Sequence, residues 1–181
     1  MNQRKTDRNK TQAGIKTPRN SRCVMTQIVL PGDANALGTA FGGRIMQWID
    51  VAAAVACQRH CRARVVTASM DQLDFVAPIR TGMVVELLAQ VNAAFRTSME
   101  AGVRVESENP VTGERIHACS AYLTFVAQDD SGTPAEVPPL VLETDEDRRR
   151  CLAGADRRRV RLERSRAKRE RLLQEQREKA R

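Results

Sequence analysis

The sequence predicts an α+β domain in which one long helix lies against a single antiparallel sheet. Three observations predict it. A segment from Gly42 to His60 carries Ile45, Met46, Ile49, Ala53, Ala54 and Cys57 at helical spacing. Between Val65 and Ala127 the apolar residues recur with a period near two, most clearly where Met99, Ala101, Val103 and Val105 alternate with Glu100, Gly102, Arg104 and Glu106. The run Asn109-Pro110-Val111-Thr112-Gly113 has the chemistry of a tight turn, which makes Thr97–Glu108 and Glu114–Ala127 the arms of a hairpin.

In chain order, Met25–Leu30 is a short strand that Pro31-Gly32 ends. A loop follows, and then the helix opened by Gly42-Gly43. Its second face, with Ala52, Val55 and Ala56, is also small and apolar, so the helix is expected to be buried nearly all round. Val65–Val76 and Met83–Val91 supply the next two strands, separated by Pro78 and a turn near Thr81-Gly82. A sheet covers only one side of such a helix. The rest of the chain is too polar to cover the other, which calls for a second subunit. After Gln128 a Pro-rich stretch to Leu142 reads as extended loop. Thr144 followed by Asp145-Glu146-Asp147 starts an Arg-dense helix whose few apolar residues suit a solvated or fraying element better than a coiled coil.

At 181 residues the chain holds one core. The net charge of +8 sits in the ends: residues 1–22 have seven Lys/Arg against one acid, and 143–181 have fifteen against nine. The middle, 23–142, is acidic, with eight Arg against twelve Asp/Glu. The domain reading is therefore a basic flexible tail at 1–22, the folded domain at 23–142 and a charged helical tail at 143–181. The basic ends leave nucleic-acid or anionic-surface binding open as a separate property, against a body of the wrong sign. Five cysteines without a CxxC pair fit a reduced compartment, and the cytoplasm is the expected location. The polar N-terminus has no apolar core of a secretory signal, an Arg-rich transit peptide being the alternative. No apolar run is long enough to span a bilayer.

Asp50 is the sharpest anomaly, a carboxylate on the helix stripe with Met46, Ala53, Ala54 and Cys57. A charge there is costly unless it is paired or useful. The free amides at Gly42 and Gly43, where no Cβ obstructs approach, form a site for developing negative charge, although close packing alone also explains a Gly pair at a helix start. Asn35 lies in the loop just before. Cys57, His60 and Cys61 share one helix end at spacings that could in principle hold a metal, but core packing is the expected role of Cys57 and no metal is expected. Trp48 reads as core or interface.

The stretch Pro31-Gly-Asp-Ala-Asn35-Ala-Leu-Gly38 followed by Phe41-Gly-Gly-Arg-Ile-Met-Gln-Trp-Ile-Asp50 resembles the defining segment of the cytosolic acyl-CoA hydrolases of the hot-dog superfamily. Val66-Thr-Ala-Ser-Met-Asp71, Phe75-Val-Ala-Pro78, Thr81-Gly82, Arg96-Thr-Ser-Met-Glu100 and Leu123-Thr-Phe-Val-Ala127 follow in the family's order. The resemblance covers about residues 25–140 and leaves both tails outside, as extensions that compact members lack. It implies a hot-dog fold with the dimer as minimal unit, often a hexamer built as a trimer of dimers, and thioester hydrolysis without metal or cofactor. It implies Asp50 as base or nucleophile, Asn35 of the partner subunit positioning water or substrate, Gly42-Gly43 as oxyanion site, and Gly38, Phe41, Arg96, Thr97 and Ser98 along the substrate and its CoA. A non-catalytic acyl-CoA-binding protein on the same fold is the alternative, and it would make Asp50 dispensable.

Overall fold

The structure, a computed structural model, describes residues 16–179. After a short helix α1 (Pro18–Ser21) come β1 (Cys23–Ile28), the long helix α2 (Gly42–Cys61), the strands β2 (Arg64–Phe75), β3 (Val84–Ala94), β4 (Ser98–Glu108) and β5 (Arg115–Gln128), and a final helix α3 (Asp145–Lys179). The strands form one antiparallel sheet in the order β1-β3-β4-β5-β2.

Register follows from which side chains must leave water. Met99 pairs with Phe125, Ala101 with Leu123 and Val103 with Ala121, and all of these are buried. That face of the sheet curves around α2, whose Ile45, Ile49, Ala52, Ala53, Ala56 and Cys57 are buried against it. Three alanines on this stripe let the helix axis approach the strands closely, and one-sided burial of its apolar stripe holds it there. α2 starts after Phe41, which is extended (φ −60°, ψ 132°), and stops at Arg62, which is left-handed (φ 54°) and returns its N–H to the Gln58 carbonyl at 2.8 Å. The expected burial all round does not hold within one chain. Met46 and Val51 are exposed, and Trp48, Asp50, Ala54 and Val55 are only half-buried, so the flank away from the sheet is open.

Residues 16–22, expected in a flexible tail, are part of the fold. The Ser21 hydroxyl is fully buried, donates to the Pro18 carbonyl at 2.6 Å and accepts the Val91 amide at 2.9 Å. It thereby serves an amide at the bulge between Val91 and Ala93. Residues 1–15 of the expected tail lie outside the described residues.

The larger correction concerns α3. Its first half is not solvated but packs on the outer face of the sheet, opposite α2. Gly154 sits so close that a Cβ there would lie 2.9 Å from Glu100 Oε1 and 3.2 Å from Ala93 Cβ. Arg157 donates to both Glu100 oxygens at 2.7 and 2.9 Å while its guanidinium lies 3.6 Å from the Tyr122 ring centroid. Arg158 lies over Phe95, and Arg161 pairs with Asp71. Glu100 is thus 1% exposed although it occupies a polar position of the β4 alternation. The paired charges are what allow an Arg-rich helix to cover a sheet.

Candidate active site around the start of the long helix

The loop before α2 is tied to the helix it feeds. Asp33 accepts the Leu30 amide at 3.1 Å and pairs with Arg44 of the first turn at 2.7 Å. Its carbonyl accepts the Phe41 amide at 2.9 Å. Gly38 is left-handed (φ 72°), which a side chain rarely tolerates, and its carbonyl accepts the Thr81 amide and hydroxyl at 3.0 and 3.3 Å. Asn35 uses Oδ1 to hold the loop, accepting from Leu37 N, Thr39 N and Thr39 Oγ1 at 2.9, 3.3 and 3.2 Å. Its Nδ2 has no partner among the described residues and remains a donor for another molecule.

At the first turn, the Phe41 carbonyl takes the amides of Arg44 and Ile45. The amides of Gly42 and Gly43 therefore have no acceptor among the described residues. A Cβ at Gly43 would meet nothing within 4 Å, and one at Gly42 would meet the Phe75 ring at an ordinary 3.6 Å. The two glycines are not required by packing within one chain. A cavity of about 370 Å³ opens beside this turn, lined among others by Gly42, Ile45, Phe75, Val76, Pro78 and Ile79. It is an apolar recess with Gly42, one of the two residues whose amides are unpaired, in its wall.

Two turns further along α2, Asp50 is half-buried on the open flank. Thr67 of β2 donates its hydroxyl to Asp50 Oδ1 at 2.7 Å. Oδ2 has no partner among the described residues. Sequence reasoning missed Thr67, and the available signal was a hydroxyl within a strand that follows the helix directly and so must run back along it.

Arg96 and Thr97 lie in the β3–β4 turn and Ser98 opens β4; the Thr97 carbonyl accepts the Ala127 amide at 3.0 Å and the Arg96 carbonyl accepts the Val137 amide at 2.9 Å. The neighbouring Pro138 carbonyl binds His60 Nε2 at 2.9 Å, in the last turn of α2. Gly42 and His60 are separated along the helix by about 27 Å at its usual rise. One chain therefore does not bring Arg96–Ser98 to the Gly42-Gly43 turn. His60 and Cys57 are fully buried, and burial pushes the His60 pKa down and the Cys57 thiol up. Both belong to the core. Among the described residues no three His, Cys, Asp or Glu converge as a metal site.

A model of the thioesterase superfamily matches residues 37–114, from the loop before α2 to the β4–β5 turn. An acyl-CoA thioester hydrolase of Bacillus subtilis is 45% identical over 127 residues, which are 70% of this chain and 74% of that protein. The chain belongs to the acyl-CoA thioester hydrolases. The human cytosolic acyl-CoA thioester hydrolase is 32% identical over 139 residues, and there the match covers 76% of this chain but 37% of the longer human protein.

Among solved structures, a hexameric acyl-CoA thioesterase superposes with a TM-score of 0.79 at 41% identity, covering 82% of this chain and 96% of that one. The Staphylococcus aureus acyl-CoA hydrolase, solved with butyryl-CoA and CoA, gives 0.80 at 36% identity, covering 88% of this chain and 99% of its own. These shares are those of the hot-dog thioesterase fold. An 88% cover is more than residues 1–142 of the 181 can supply, so the likeness continues into α3. The charged helix is thus in part common to this acyl-CoA hydrolase and its relative, rather than an extension lying wholly outside the resemblance. Variants of the S. aureus enzyme with an aspartate, a threonine or an asparagine replaced by alanine have also been solved.

Proposed function

We propose that this hydrolase cleaves acyl-CoA thioesters to a carboxylic acid and CoA at a site completed by two copies of the chain. The observation that carries the reading is the Thr67–Asp50 hydrogen bond, which fixes one carboxylate oxygen and leaves the other without a partner among the described residues on the open flank of the helix. The thioester carbonyl oxygen accepts from the Gly42 and Gly43 amides of the subunit opposite Asp50, where the helix N-terminus favours negative charge. Asp50 Oδ2 takes a proton from a water whose oxygen attacks the carbonyl, or attacks the carbonyl itself to form an acyl-aspartyl anhydride that water then hydrolyses; in both routes the C–S bond breaks and the CoA thiolate leaves as the carbonyl re-forms. Asn35 of the partner subunit uses its uncommitted Nδ2 to position the water or the carbonyl. An Asp, Thr and Asn set of the kind substituted in the S. aureus hydrolase supports this choice of side chains. The apolar recess at Phe75 and Ile79 suits the acyl chain or the pantetheine arm.

The second copy follows from the open flank of α2. Phe41, Met46 and Val51 are between 40% and 51% exposed there, a patch that an isolated chain leaves to water. A partner closing it also supplies Arg96, Thr97 and Ser98 along the CoA, which one chain keeps at the far end of the helix. A hexamer as a trimer of dimers is supported by the hexameric thioesterase neighbour. Relatives named cytosolic support a cytoplasmic location. Among the described residues no helix is long and apolar enough to cross a membrane.

The test is release of free thiol from a chain-length series of acyl-CoAs by the wild type and Asp50→Ala. Turnover lost in a folded, assembled variant supports the reading. A wild type that binds acyl-CoA and never releases thiol makes it a binding protein. Rapid quench and mass spectrometry separate the two roles of Asp50, because only a nucleophile leaves an acyl group on that residue.

A further inference from the structure

α3 crosses the outer face of the sheet in strand order. Arg150 borders a cleft with Cys23 and Val24 of β1 and Leu88 of β3. One turn on, Gly154 lies against Ala93 and Glu100 of β3 and β4, and Arg157 reaches Glu100 and Tyr122 of β4 and β5. Arg161 then meets Asp71 of β2, the edge strand. From Leu162 to Glu178 every side chain is exposed. Residues 162–179 add about 27 Å of helix beyond that last anchor, at 1.5 Å per residue.

The edge that this segment overruns is the one built to accept another strand. β2 has 12 residues and β1, at the other edge, only 6. A long edge strand with free amides and carbonyls is a template for pairing. A cavity of about 530 Å³ lies in the angle between this edge and α3, bounded by Ser69, Met70 and Asp71 on one side and Val160, Arg164 and Lys168 on the other.

Charge also fits one occupant. Residues 162–179 carry seven Lys/Arg against four acids, while the body from 23 to 142 carries eight Arg against twelve acids. The arm is basic and the body acidic. Leu162, Leu172 and Leu173 stand exposed on the arm at 38%, 49% and 46%.

We infer that residues 162–179 are an intersubunit arm, laid over the outer face of a second copy of this chain whose β2 joins the β2 edge. Two-fold symmetry makes the contact reciprocal, so each copy's sheet is covered by its own α3 first half and by the partner's second half. The inference rests on the oligomeric reading above and assigns a surface to it.

Sedimentation velocity of the full chain and of a chain ending at Arg161 tests it across a wide concentration range. The shorter chain keeps the Arg157–Glu100 and Arg161–Asp71 pairs, so its melting reports whether the body stays folded. The expected result is a dissociation constant raised about tenfold or more with an unchanged cooperative melt. Arg164→Glu with Lys168→Glu in the full chain should weaken association in the same direction, and amides of 162–179 should be protected from hydrogen exchange in the assembled protein. Unchanged association of the shorter chain, from a wild type that is oligomeric, overturns the arm and leaves the oligomer standing. A monomeric wild type overturns both. Salt-sensitive binding of single-stranded RNA that needs residues 162–179, with association unaffected, would assign the arm to nucleic acid instead.

Discussion

The Thr67 hydroxyl donates to Asp50 Oδ1 at 2.7 Å, joining the middle of α2 to the fourth residue of the strand that returns along it. The bond fixes the rotamer of a carboxylate that otherwise faces the open flank. It also uses the hydroxyl hydrogen, so Thr67 acts on Asp50 as a donor.

Asp50→Ala should lower kcat for acyl-CoA hydrolysis by about 10²- to 10⁴-fold, the usual contribution of a positioned base. Thr67→Val should cost less, about 10- to 100-fold, because it removes one hydrogen bond to a charged group. Thr67→Ser restores the donor and should recover most of the loss. Equal kcat for Thr67→Val and wild type would remove Thr67 from the mechanism.

The amides of Gly42 and Gly43 can be tested separately from their space. Phe41 already has the extended backbone that a following proline requires, and the first helical position tolerates proline. Gly42→Pro should therefore fold and lack one donor, lowering kcat by about 10²- to 10³-fold, as loss of an oxyanion donor does. Gly43→Ala keeps its N–H and meets nothing within 4 Å in one chain, so its melting temperature should not fall. If Gly42→Pro hydrolyses acyl-CoA at the wild-type rate, the carbonyl oxygen binds elsewhere.

The Glu100–Arg157 pair makes α3 part of the fold, and its removal should be unequal from the two sides. Arg157→Ala leaves a carboxylate buried at 1% exposure without its cation, a change that costs about 3–5 kcal/mol. Replacing both partners together, with Glu100→Leu and Arg157→Met, should cost much less than Arg157→Ala alone. Urea denaturation of the two single variants and the double variant measures the coupling. Additive losses would mean that the pair is not the anchor of α3.

The helix and the sheet were legible because their apolar periods, 3.6 and 2, come from the backbone and survive any tertiary context. The site loop was legible through its glycines and through Asp50, a charge placed against its own helix's pattern. The docked half of α3 was hidden by composition: its contact with the sheet is a short run of small residues around Gly154, and its anchors are arginines that otherwise signal solvent. Glu100 shows the same failure from the other side, since alternation placed it facing water and only the helix above it removes that water. Thr67 was missed because its role depends on which face of β2 meets α2, and the shifts of register at Thr67/Ser69 and Met70/Gln72 break the period that would have told. The Arg96–Ser98 segment, expected along the CoA of a two-subunit site, lies at the far end of its own chain's α2, a separation that sequence order cannot express.

His60 gives the fold a dependence on pH. Its ring is fully buried with Nε2 on the Pro138 carbonyl, and burial, with Lys16 adding to it, pushes its pKa below the ordinary 6.5 despite the favourable carbonyl. The unfolded chain therefore binds a proton at His60 more readily than the folded one. Stability then rises with pH across the interval from the depressed folded pKa up to 6.5, and is lost as the pH falls through it. The wild type should lose more stability between about pH 7.5 and about pH 5.5 than His60→Gln, whose amide can still donate to Pro138 but does not titrate. Urea midpoints of the two proteins at both pH values give the comparison. Parallel losses would show that the acid sensitivity lies in other groups and that the buried imidazole is protonated as easily in the folded chain as in the unfolded one.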